Sequence, residues 1–426
     1  MRKNKKNILI ILVLLLSIIL LGSLIPSIRE RAAWHFDKWQ IRAEYFFNPP
    51  SEVVFVPQST SDTPPQATKI HTAALTSTPA DQANMATPTM TPTQLPSRVL
   101  LEGFTYATQH GFWNFCAPAN LYMNLSYWGW EGDIVEMGKE LKPYEKDKNV
   151  MAYEMADYVN AQTPYKATLR HGGTPEILKT LVANGFPALV EIGTFRIRDI
   201  DGNYSWMGHY NVVSGYDDEK QVFIVQDSYF EPGVNYEIPY ETIIKEWRSF
   251  NFVFIVIYTP EKEELLNPLL GEYLDDNSAN AIALSIANEE IEDLTGVDQF
   301  FAWFNKGTSL IRIFDYFGAA DAYDQAFFQY AEIDKKNRPW RMMWYQTGPY
   351  FAYYYTNRYL DVIELATNTI DTASQPYLEE SFYWRAQAHI ALGNLDQALA
   401  DLRKSLEYHP GFPPSVEALR QLGYEE

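Results

Sequence analysis

The spacing of apolar residues changes several times along the chain, and each change predicts an element or a boundary. Residues 8–25 form an apolar run broken only by Ser17, Gly22 and Ser23, and Arg2, Lys3, Lys5 and Lys6 precede it. A run of this length just crosses a bilayer, and the basic cluster predicts a cytoplasmic N-terminus with an exported remainder. It exceeds the apolar part of a usual signal peptide and no Ala-x-Ala site follows, so residues 1–27 are read as an uncleaved transmembrane signal anchor. No cysteine follows the run, which excludes a bacterial lipid anchor. Residues 28–48 read as a short amphipathic helix whose Trp34, Trp39, Tyr45 and Phe46 suit a membrane interface. From 49 to 96 the chain turns to Pro, Thr, Ser, Ala and Gln, with only Glu52, Asp62, Lys69 and Asp81 charged. Such a stretch cannot bury enough apolar surface to offset its ordering entropy, so residues 49–98 are expected to be a disordered stalk that Thr-Pro repeats keep extended.

Residues 99–260 begin with helical spacing. Helices are predicted from Ala117 to Tyr127, at 134–141 and 150–161, and from the Thr174-Pro175-Glu176 cap to Ala183. The period then shortens to that of strands at 187–192, 209–216, 222–227 and 252–258, with Asp217-Asp218-Glu219-Lys220 as a hairpin turn. Helices followed by a sheet make an α+β domain.

Beyond residue 260 the pattern is helical and repeats itself. Trp303 and Gly307 lead into Tyr316, Ala319, Tyr323 and Ala326; Trp344 and Gly348 lead into Tyr359, Val362 and Ala366; Gly393, Leu395, Ala398 and Leu402 run to Pro410. These spacings resemble the tetratricopeptide repeat, whose small residues let paired helices approach while aromatics fill the space beside them. Gly307, Gly348 and Ala386 are 41 and 38 residues apart, against about 34 in that repeat, so longer loops are expected between hairpins. Residues 261–298 are assigned as a helical cap or connector, and 299–426 as three hairpins of an all-α repeat domain.

Composition narrows the functional classes. The chain has 426 residues, 46% of them hydrophobic, ample for packed cores. A formal charge of −20 excludes the concentrated positive charge that nucleic acid or an anionic lipid surface would require. With one cysteine, Cys116, there is no internal disulfide. No metal site is read from the sequence, because its seven histidines lack companions at zinc-ligand spacing, and no phosphate-binding glycine loop appears; no cofactor is expected.

Cys116 stands in Trp113-Asn114-Phe115-Cys116-Ala117-Pro118, where a turn enters a helix. Unpaired backbone N–H groups and the helix dipole favour a thiolate at such a position. A cysteine nucleophile needs a base, and the base needs an orienting group. His209 opens a predicted strand, and the returning strand of the hairpin ends at Asp227, so the two are expected to be neighbours. His110 and His171 are alternative bases without a paired acid.

Cys116-Ala117-Pro118-Ala119, Gly208-His209 before an apolar strand and Gly215-Tyr216-Asp217, and Val225-Gln226-Asp227 resemble the papain-fold family of bacteriocin-processing, double-glycine leader peptidases. The resemblance implies a papain-like fold with Cys116 as nucleophile, His209 as general base and acid, and Asp227 orienting the imidazole. It also implies a glutamine before the cysteine as oxyanion donor, for which Gln109 lies seven residues upstream and Asn114 is the alternative. Where the family has glycine after the cysteine, this chain has Ala117. The expected function is a membrane-anchored, extracytoplasmic cysteine peptidase-like hydrolase acting on a peptide or protein, with a protein partner on the helical repeats. The alternative is a catalytically silent papain-like scaffold or peptide receptor.

Overall fold

The computed structural model describes residues 26–58 and 95–424. The predicted membrane anchor and most of the predicted stalk lie outside these residues; among the described ones, no helix is long and apolar enough to cross a membrane.

The first domain is a sheet covered by helices on both faces. Its strands are β1 (Arg98–Leu100), β2 (Lys166–Arg170), β3 (Ala188–Thr194), β4 (Met207–Asp217), β5 (Val222–Asp227), β6 (Tyr236–Pro239) and β7 (Phe254–Tyr258). They lie in the order β2-β7-β3-β4-β5-β6, with β1 continuing along the C-terminal part of β4, and every pairing is antiparallel. Leu189, Val212 and Ile255 point to one face, where they meet α2 (Cys116–Tyr127), α3 (Ile134–Leu141) and α4 (Ala152–Gln162). Their strand neighbours Val190, Val213 and Val256 point to the other, against α5 (Pro175–Ala183), α6 (Tyr240–Arg248) and α7 (Glu263–Leu270). Burial on both faces explains why β3 and β5 read as nearly continuous apolar runs rather than alternating ones. Thr174 caps α5 as expected, its hydroxyl accepting the Ile177 N–H at 3.3 Å.

Helices α8 (Asp276–Asp293) and α9 (Gly296–Arg312) lead into three antiparallel pairs: α9 with α10 (Tyr316–Glu332), α11 (Gly348–Tyr355) with α12 (Tyr359–Thr372), and α13 (Glu379–Ala391) with α14 (Leu395–Tyr408). Helix α15 (Pro413–Gln421) closes the array. The small residues act as expected: a Cβ on Gly307 would lie 2.7 Å from the Tyr323 ring. The extra length between the first two pairs is the loop 333–347, which turns towards the sheet domain. Its Gln346 amide donates to Ser249 O at 2.6 Å, and the Trp340 indole donates to the Ser205 hydroxyl at 3.1 Å. Trp206, Phe250 and Val253 share a single core with Phe300, Phe301 and Tyr350, so the two domains pack through apolar contacts as well.

Two N-terminal expectations need correction. Helix α1 (Pro26–Phe47) forms, but part of its aromatic face meets protein: Tyr45 donates to Asp199 at 2.6 Å, and Trp34 packs against Trp113. Phe36, Trp39, Phe46 and Phe47 stay exposed. Residues 52–58, assigned to the stalk by composition, instead pack on the protein. Phe55 is buried edge-on against Phe327, the Gln58 N–H donates to Asp361 at 3.2 Å, and Glu52 pairs with Arg338 at 3.4 Å.

Candidate active site

Cys116 is the first residue of α2, and no side chain caps that helix, so its first-turn N–H groups face outwards unsatisfied by a side chain. The preceding turn is held from outside. Asn114 adopts a left-handed conformation at φ 47° and donates through Nδ2 to Asp147 O at 2.7 Å and Lys146 O at 3.3 Å. Lys142 reaches Trp113 O at 2.5 Å and Glu145 O at 2.9 Å.

His209 and Asp227 meet through a register shift. At the turn end of the hairpin Asp217 opposes Val222, but beyond Ser214 the pairing slips by one, and Asp227 opposes Asn211. Side chains alternate faces along a strand, so without this bulge Asp227 would share a face with Val212 and point away from His209. With it, Asp227, Asn211 and His209 share one face. His209 Nε2 lies 3.2 Å from Asp227 Oδ1, and both side chains are fully buried. Asp227 also accepts the Tyr229 N–H at 2.7 Å, the Phe230 N–H at 3.2 Å and the Asn211 amide at 2.7 Å.

These contacts set the charges. Burial disfavours the charged imidazole, but the Asp227 carboxylate and then Cys116 beside the ring outweigh it and raise His209 to about 10. Burial likewise pushes Asp227 up, yet His209 and the Tyr229 and Asn211 donors bring it down to about 2. The pair is an imidazolium and a carboxylate at neutral pH. Asp227 takes Nε2, so the ring nitrogen left for Cys116 is Nδ1, which makes no hydrogen bond within the usual limits in this arrangement.

Gln109 and Asn114 separate clearly. Asn114 spends its amide hydrogens on the 146–147 carbonyls and is not free to donate to an oxyanion. Gln109 accepts from the Ser228 hydroxyl at 2.8 Å through Oε1, and Ser228 in turn accepts from Asn120 at 2.8 Å. This fixes which end of the Gln109 amide carries the free hydrogens. The other two candidate bases have no paired carboxylate like Asp227: His110 lines the cleft, exposed and bonded to Tyr229 O at 2.7 Å, and His171 is buried beside Arg312.

Sequence reasoning missed several groups around the thiol. Asn120 also donates to Cys116 O at 2.9 Å, one helical turn along α2, a spacing that was visible. Glu191 on β3 is buried; burial, and secondarily the charge of Cys116, hold its carboxyl well above the usual range. Tyr345 comes from the helical repeats and packs where Gly208 lacks a side chain: a Cβ there would lie 2.7 Å from the Tyr345 ring. No local pattern signals Tyr345, because its place depends on domain packing. At the turn that precedes Cys116, a cleft of about 430 Å³ is lined by Trp34 and Arg42 of α1, Gln109 and Asn114, and Arg341 and Tyr345 of the repeat domain.

Residues 101–255 match the profile of the Peptidase_C39 like family. That stretch is a C39-like domain by this likeness. Residues 379–412, covering α13 and α14, match the tetratricopeptide repeat. A crystal structure of a putative C39-like peptidase from Bacillus anthracis aligns over 38% of this chain and 97% of its own, at 19% identity and a TM-score of 0.31. Aryl-hydrocarbon-interacting protein-like 1 of Mus musculus is 27% identical over 126 residues, and that of Bos taurus 25% over 121. These matches cover 28% and 26% of this chain, and the chain spans only 37% and 36% of those relatives' lengths. The C39-like domain thus sits beside a repeat region of a kind that suits protein–protein interaction.

Proposed function

We propose that the C39-like domain is a cysteine hydrolase of peptide or related acyl bonds. The observation that carries this reading is the buried His209–Asp227 pair at 3.2 Å, with the second imidazole nitrogen left for a thiol at a helix N-terminus. The Cys116 thiolate, facing the His209 imidazolium, attacks the substrate carbonyl carbon. The oxyanion forms beside the Gln109 amide and the first N–H groups of α2. As the tetrahedral intermediate collapses, the C–N bond breaks and His209 passes its proton to the leaving amine, leaving a thioester on Cys116. Neutral His209 then takes a proton from water as its oxygen attacks the thioester, and Cys116 leaves as thiolate with His209 recharged. Substrate reaches the thiol through the cleft between α1, the Gln109–Asn114 turn and the Arg341–Tyr345 loop, and the repeats hold a protein partner or the remainder of the substrate. We place the domain on the outer side of a membrane, tethered by residues 1–27, on the strength of the basic-then-apolar N-terminal pattern.

Iodoacetamide labelling at neutral pH tests the activated thiol. Wild type should label at least about tenfold faster than His209→Ala, as expected for a residue that supplies the charge facing the thiolate; equal rates would leave a silent scaffold as the better reading. In a peptide-substrate screen, Cys116→Ala should be inactive. Gln109→Ala should lose about 10²–10³ in kcat, the usual cost of an oxyanion donor, whereas Asn114→Ala should lose less.

A further inference from the structure

A second histidine–carboxylate cluster joins the two domains. Asp147 lies in the loop after α3, Glu379 begins α13, and His409 follows α14. One ligand-competent atom from each lies within 4.8 Å of the other two. His409 Nδ1 is 3.2 Å from Glu379 Oε1 and 3.9 Å from Asp147 Oδ2. Tetrahedral zinc with bonds of about 2.0–2.2 Å holds its ligand atoms about 3.3 Å apart. The observed spacings run from about that value to at most 4.8 Å.

Two further observations suit a cation site. The Asp147 side chain is 4% exposed, and its Oδ2 is directed at His409 with no hydrogen bond. Its carboxylate otherwise takes the long 3.4 Å contact from the Asn149 N–H and a backbone contact from Lys148. Lys142, the nearby ammonium that could neutralise it, donates to Trp113 O and Glu145 O. A buried, acid-rich group with one imidazole and few donors is costly without a cation and well matched to a divalent ion that takes nitrogen and oxygen ligands.

We propose that Asp147, Glu379 and His409 form a three-ligand zinc site, with water in the fourth position, that clamps the last repeat hairpin to the C39-like domain. The site would also steady the nucleophile's approach, because the Asp147 carbonyl holds Asn114, two residues before Cys116. Its ligands come from three segments more than 200 residues apart at the extremes, so occupancy fixes domain docking rather than a local fold.

The test uses the full chain in detergent micelles carrying Cys116→Ala, which removes the thiol as a competing zinc ligand and separates this proposal from the hydrolase reading. Protein stripped with EDTA and dialysed against Zn²⁺ should retain one equivalent, and its Tm should rise by about 5 °C at a hundredfold excess over Kd. Both effects should vanish in His409→Gln and in Asp147→Asn, while circular dichroism and the metal-free Tm show that each variant folds. Failure of the Cys116→Ala chain to retain zinc overturns the proposal; so does retention unchanged in both folded variants, which would place the ion elsewhere.

Discussion

His209 with Asp227 and His409 with Asp147 and Glu379 are both buried groupings of an imidazole and carboxylates at about the same distance, 3.2 Å at the closest edge. Their electrostatics run in opposite directions. His209 is raised and Asp227 lowered, so both are charged; burial lowers His409 and raises Asp147 and Glu379. The difference lies in donors, not in separation. Asp227 receives two backbone N–H groups, an amide and the imidazole, whereas Asp147 receives only weak backbone contacts from Asn149 and Lys148 and faces other acids. Ionisation inside a protein requires hydrogen bonds to replace water, and a single opposite charge does not suffice.

The largest expected effect follows from that contrast. Asp227→Ala should cost about 3–5 kcal/mol, because it leaves a buried imidazole without its partner. Asp147→Ala in metal-free protein should change stability by no more than about 1 kcal/mol, since it removes a carboxyl that is poorly satisfied where it stands. Urea unfolding of the two variants measures both, and equal losses would erase the distinction.

A pH series sharpens it. The folded pKa of His209 is raised from 6.5 to about 10, so its contribution is fully present below about 6.5 and fades as pH rises through 10. Asp227 is lowered from 3.8 to about 2, so its share is present above about 3.8 and is lost as pH falls through 2. The advantage of wild type over His209→Gln should therefore peak between about pH 4 and 6.5, on the order of 3 kcal/mol, and shrink towards pH 10. A gap that widened from pH 7 to 10 would refute the imidazolium assignment.

The smallest effect concerns the seam between domains. Gly208→Ala places a methyl group 2.7 Å from the Tyr345 ring and 3.1 Å from Phe250. Overpacking there should cost about 1–3 kcal/mol. Adding Tyr345→Phe should leave that cost unchanged, because the clash is with ring carbons, and Tyr345→Ala should relieve it. Thermal unfolding of the double variants gives the answer.

Much of the architecture was legible because it rests on local patterning. Strand β5 and helix α3 fall at their predicted boundaries, α5 begins at its predicted cap, and three helix pairs appear where small residues and aromatics recur. The closeness of His209 and Asp227 followed from one short hairpin, although the bulge at Ser214 that puts them on the same face did not show in the pattern. Phe55 and the short apolar run Val53 to Val56 were read as part of the stalk because they sit in a longer stretch rich in Pro, Thr and Ser, while the Phe55 partners Phe327 and Tyr353 lie some three hundred residues away.

The sequence by itself determined the order of elements, the thiol at a helix start, the hairpin that carries its partners and the repeating helical pairs, because periodicity, capping and turn chemistry act within a few residues. Only the tertiary structure decided that Asn114 is committed to the 146–147 carbonyls, that Ser228 orients Gln109, that Tyr345 packs against the C39-like domain, and that His409 meets Asp147 and Glu379. Each of these joins segments whose separation along the chain has no bearing on their distance in space, and burial then decides which of the groups brought together can hold a charge.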